Sequence, residues 1–91
     1  MNLKTLSVVI TGRVQGVSFR AWTKGQAEAF GLAGWVRNAP DGSVHALLHG
    51  PAEPVDAMAA ALWQGPPAAR VTQVQIEPAD PPPDPGFVIT G

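Results

Sequence analysis

The hydrophobic periodicity of this chain switches between two repeats, and the order of the switches restricts the fold. Leu6, Val8 and Ile10 alternate with Ser7, Val9 and Thr11, the period of a β-strand buried on one face and partly on the other. Gly12 to Val17 read as a loop with two glycines, and Ser18 stands where an N-cap would open a helix over about Phe19 to Phe30, stopped by Gly31. Trp22, Thr23, Ala27 and Phe30 share one face of that helix, interrupted by Gln26 and weakened by Gly25. Gly34 to Asn38 reads as a second strand, and Ala39-Pro40-Asp41-Gly42 as a turn in which Pro presets φ and Gly accepts a positive one. Ser43 to His49 completes a hairpin, with Val44, Ala46 and Leu48 alternating. Pro54 opens a second helix whose Val55, Met58, Ala59 and Leu62 follow the i, i+3, i+4, i+7 stripe, and Gly65-Pro66-Pro67 ends it. Val71 to Ile76 is a further strand, Pro78 to Pro85 a connector that cannot pair inside a sheet, and Phe87 to Ile89 a short edge strand.

The resulting order, βαββαβ plus a short edge strand, predicts an α+β fold. It is the ferredoxin-like split βαβ arrangement, with two helices on one face of an antiparallel sheet. In that arrangement the second strand is expected to lie beside the first. A chain of 91 residues has room for one such domain, spanning residues 1–91, and for a modest core. That fold by itself implies no function.

Composition narrows the chemistry. Six Lys and Arg and a net charge of −1 are too little basic surplus for a general nucleic-acid binder, so an anionic ligand must be small and met locally. Cysteine is absent, which removes disulfides, thiolate catalysis and thiolate metal sites and fits a reducing compartment. The run Ser7 to Ile10 is too short for a signal-peptide core, and no stretch approaches the roughly 20 apolar residues of a membrane span. The expected location is cytoplasmic, without a membrane partner and without nucleic acid, and the expected state is a monomer.

The segment richest in chemistry is Gly12-Arg13-Val14-Gln15-Gly16-Val17-Ser18-Phe19-Arg20, between the first strand and the first helix. Successive N–H groups of such a loop can face one anion, and the following helix adds free N–H groups and a positive dipole end. The backbone of Val14, Gln15, Gly16, Val17, Ser18 and Phe19 is therefore a candidate phosphate cradle. Arg20, in the first helical turn, can grip two phosphate oxygens with its planar guanidinium. A Walker A loop would end in Gly-Lys-Ser/Thr, whereas Gly16 is followed by Val17 and Ser18, so ATP binding through this loop is not expected. Taken by spacing alone, the same glycines could mark only a tight turn and Arg20 an ordinary surface residue.

GRVQGVSFR, residues 12–20, resembles the signature of the acylphosphatase family, and GLAGWVRNAPDGSV, residues 31–44, resembles that family's second signature. Gly50-Pro51, Gly65-Pro66 and Phe87 extend the likeness over nearly the whole chain. The resemblance implies hydrolysis of an acyl phosphate to a carboxylate and inorganic phosphate, with Arg20 binding the phosphate and Asn38 positioning the attacking water. It implies a small acyl phosphate as the partner; no cofactor is expected, and no metal, because the chain offers no convincing metal site. In animal relatives the terminal carboxylate can pair with this arginine, and Gly91 occupies the equivalent end. The chain departs from the common pattern at Ser18, often Gly or a larger residue, at His45, where an acidic residue is frequent, and in its proline-rich connector.

Other residues carry bland expectations. His45 and His49 stand four apart on a strand, about 13 Å between Cα atoms, too far to share one ion easily. Trp22 and Trp63 fall on the two helices, where packing into the core is expected. Two alternatives are weighed: a module similar to this family that acts on carbamoyl phosphate, against which the length of 91 residues argues, and a non-catalytic regulatory ferredoxin-like domain, against which Arg20 together with Asn38 speaks.

Overall fold

The computed structural model describes residues 2–91. The elements follow the order β1 (Leu3–Arg13), α1 (Phe19–Ala29), β2 (Ala33–Asn38), β3 (Val44–Pro51), α2 (Ala52–Leu62), β4 (Arg70–Pro78) and β5 (Phe87–Ile89). They build one five-stranded sheet in the order β4-β1-β3-β2-β5. The alternation seen in the sequence sets the faces. Leu6, Val8 and Ile10 of β1 and Val44, Ala46 and Leu48 of β3 are buried, packed with Phe19 and Ala27 of α1 and Val55, Met58, Ala59 and Leu62 of α2. At about 25 cal/mol per Å² of apolar surface, burial of this layer is the main favourable term for a chain of this size.

The α+β architecture agrees with the expected split βαβ fold, and three details depart from expectation. The second strand is not beside the first. β3 lies between β1 and β2 and pairs antiparallel with both, from Leu3↔Pro51 to Ile10↔Val44 on one side and from Ala33↔His49 to Asn38↔Val44 on the other. A hairpin partner sits next to its own neighbour in sequence, so β3 takes the central place once it also finds β1. The sheet is mixed rather than antiparallel, because β5 runs parallel to β2, pairing Gly34↔Phe87 and Val36↔Ile89. Trp63 is not in the core. It follows the last residue of α2, beyond the Val55 to Leu62 stripe, and stays 53% exposed.

β1 also runs two residues further than expected. A bulge between Thr11 and Gly12 keeps the strand paired with β4 through Arg13. Gly12 is required there: its φ is +125°, and a Cβ would run into the Arg70 carbonyl oxygen. Such bulges bend a strand and re-aim the chain beyond the bend. Here the loop at residues 14–18 is turned toward the end of β2.

Candidate active site

Two buried side chains anchor the loop. Val14 and Phe19, before and after its tip, are 1% and 2% exposed, and Val17 packs partly against the core. Gly16 and Ser18 between them face solvent. Both are left-handed, with φ of +72° and +64°, while Val17 is not. Alternating handedness of this kind turns successive N–H groups toward one side, forming an anion-binding concavity. At Gly16 nothing would meet a Cβ within 4 Å, so the demand there is for the positive φ alone.

Ser18 precedes α1 as expected, but it is not a side-chain cap. Its left-handed backbone makes no side-chain cap hydrogen bond, because that role needs the hydroxyl over the first turn and an extended backbone. The first helical bond runs from Trp22 N–H to the Ser18 carbonyl at 3.0 Å. The N–H groups of Phe19, Arg20 and Ala21 precede that bond and have no intrahelical acceptor. No acidic residue stands in this first turn. A helix end with free N–H groups and no competing carboxylate favours an anion.

Val14, Gly16, Ser18, Phe19, Arg20, Ala21, Asn38 and Ile89 line a cleft of about 420 Å³. Loop, arginine and asparagine thus meet in one place, although their strands are not neighbours. The Gln15 side chain turns out of the cleft toward the β2–β3 turn, and the Val17 side chain points to the core. Arg20 is the only cation in the lining. Its Nη1 donates to the main-chain oxygen of Gly91 at 3.1 Å, and no carboxylate side chain pairs with it among the described residues. Asn38 is the last residue of β2, opposite Val44. Its Oδ1 is sealed from solvent and accepts no hydrogen bond. A buried acceptor left unpaired costs about 1–3 kcal/mol.

Ala21 and Ile89 carry no signal in the sequence that points to the site. Ile89 reaches the cleft from β5 and is 42% exposed, and its place depends on a parallel pairing that no local pattern announces. His45 and His49 each meet a hydroxyl instead of each other: Ser43 Oγ lies 3.1 Å from His45 Nε2, and Thr5 Oγ1 lies 2.7 Å from His49 Nδ1. Among the described residues no group of three or more His, Cys, Asp or Glu is placed to hold a metal ion, and no helix is long and apolar enough to cross a membrane.

Comparison with known proteins gives a consistent result. Residues 6–89 match the acylphosphatase family. The chain is 53% identical over 85 residues to an acylphosphatase of Rhodospirillum rubrum, covering 93% of each chain. Among solved structures it is similar to an acylphosphatase from Coxiella burnetii, with a TM-score of 0.93 at 32% identity over 98% of this chain and 94% of that one. An acylphosphatase from Bacillus subtilis superposes with a TM-score of 0.91 at 32% identity, covering 99% and 100% of the two chains.

Proposed function

This chain belongs to the acylphosphatase family, and on that premise we propose that Arg20 and the loop hold the phosphate of the substrate while Asn38 aligns the attacking water. The enzyme hydrolyses acyl phosphates to a carboxylate and inorganic phosphate. The observation that carries the proposal is the single cleft in which the left-handed loop, the Arg20 guanidinium and Asn38 meet.

Water attacks phosphorus, and the bond from phosphorus to the acyl oxygen breaks. The carboxylate leaves with the electron pair, and the proton of the attacking water ends on inorganic phosphate. A carboxylate departs without protonation, so the reaction asks for little acid or base. Phosphoryl transfer depends on positioning and on stabilising charge over the equatorial oxygens. Arg20 can hold two of those oxygens, and the loop and helix N–H groups can take a third. An amide oxygen can accept a hydrogen from water but is too weak to remove a proton, so Asn38 orients rather than acts as a base.

Metal independence, action as a monomer and a cytosolic location complete the reading. The ease of carboxylate departure supports the first, and the lack of cysteine fits the third. The test is hydrolysis of benzoyl phosphate in excess chelator by the wild type and by Arg20→Gln. Chelator-resistant turnover that falls about 10³-fold in the variant is the expected result. Near-normal kinetics in a folded Arg20→Gln protein would remove Arg20 from the mechanism.

A further inference from the structure

We propose that Gln15 is a positioning residue whose side chain holds Asn38 in register with the phosphate loop. The inference rests on the roles proposed above for Arg20 and Asn38. Those two residues depend on strands that do not touch: β1 leads into the loop, β2 ends in Asn38, and β3 separates them. No ladder bond therefore joins the two halves of the site directly.

The Gln15 amide spans that gap. Its Nε2 donates to the Ala39 carbonyl at 2.8 Å and to the Ser43 carbonyl at 2.9 Å. An amide nitrogen has two N–H bonds, and both are used. The two acceptors stand at opposite ends of the β2–β3 turn, already closed by the Ala39 N–H to the Ser43 carbonyl at 2.9 Å. One end, Ala39, is bonded covalently to Asn38. At the other side of the bridge, Gly16 follows Gln15 directly and lines the cleft with Asn38. Gln15 and the turn are half-buried where they meet, which shields the bonds from competing water.

The bridge should matter for alignment more than for grip. The groups that hold phosphate lie within residues 14–20 and do not need the β2–β3 turn. The water on Asn38 does, because in-line attack tolerates little displacement, and a shift of about 1 Å can cost roughly 10²-fold in rate.

The experiment measures kcat for benzoyl phosphate and the inhibition constant of inorganic phosphate in wild type, Gln15→Leu and Gln15→Glu, with Asn38→Ala alongside. Gln15→Leu should lower kcat by about 10- to 100-fold while the phosphate constant stays within about threefold. In Gln15→Glu the ionised side chain cannot donate, whereas the protonated acid donates once. Its kcat relative to wild type should rise as pH falls from about 8 to about 5, a profile that a purely structural role would not produce. Turnover within twofold of wild type in Gln15→Leu, parallel loss of kcat and phosphate affinity, or a flat relative profile in Gln15→Glu would overturn the inference. Should Gln15→Leu not fold, the Gln15→Glu profile decides alone. Loss of turnover in Asn38→Ala without loss in the Gln15 variants defeats this inference only, and wild-type turnover in Asn38→Ala defeats the reading of the site beneath it.

Discussion

Ser43 donates twice to one oxygen of Asp41: its N–H reaches Oδ1 at 3.0 Å and its hydroxyl at 2.6 Å. This pair closes the turn that begins directly after Asn38. The Ser43 hydroxyl and then its N–H hold the Asp41 carboxyl below its ordinary value, with His45 nearby acting in the same direction. The folded value is lower than the unfolded one, so the stabilisation is present above the ordinary aspartate value of about 3.9 and is lost as pH falls through the depressed folded value. Asp41→Asn should therefore flatten the fall of the melting temperature between about pH 5 and about pH 2. A thermal denaturation series across that range checks it, and an unchanged slope would remove this pair from the acid sensitivity of the fold.

The left-handed backbone of Ser18 has a cost as well as a use. A non-glycine residue in that conformation carries about 1–3 kcal/mol of strain, and Ser18 makes no side-chain cap bond that would offset it. Ser18→Gly should relieve the strain and give back part of the gain as entropy of the unfolded chain, for a net increase of about 0.5–1 kcal/mol. The corresponding rise in melting temperature is a few degrees for a domain of this size. Calorimetry that found Ser18→Gly less stable than wild type would show that the serine is favourable where it stands.

Leu48 tests the core. It lies fully buried in β3, the central strand, against the layer that includes α2. Leu48→Ala removes apolar contact and leaves a cavity, for an expected loss of about 2–5 kcal/mol in urea denaturation. A loss below about 1 kcal/mol would mean that the site collapses freely, in conflict with a close-packed sheet-helix layer.

Much of this fold is legible residue by residue. The stripe Val55, Met58, Ala59, Leu62 is buried as its helical spacing predicts, and Phe87 to Ile89 is the edge strand that the sequence pattern suggests. The strand neighbours are not legible that way. Local periodicity reports which face of a strand is buried, not which strand lies beside it, so β3 between β1 and β2 corrects the expected order, as does the parallel pairing of β5. The same limit hides Ile89 from a reading of the cleft. Ser18 stands at the start of α1 as its residue type suggests, but handedness is set by the loop's path and not by the preference of serine for helix caps. The loop and Arg20 stand out because they are contiguous. Asn38 does not stand out by residue type, since an asparagine before a turn is ordinary. Only its place in a second motif marks it.

In the proposed division of labour, Arg20 and the loop grip phosphate while Asn38 orders water. The most direct measurement is kcat for benzoyl phosphate together with the inhibition constant of inorganic phosphate in Asn38→Ala. The account predicts a fall in kcat of roughly 10²-fold or more with phosphate affinity within about threefold of wild type. A variant that keeps wild-type kcat, or one that loses phosphate affinity as steeply as turnover, would contradict it.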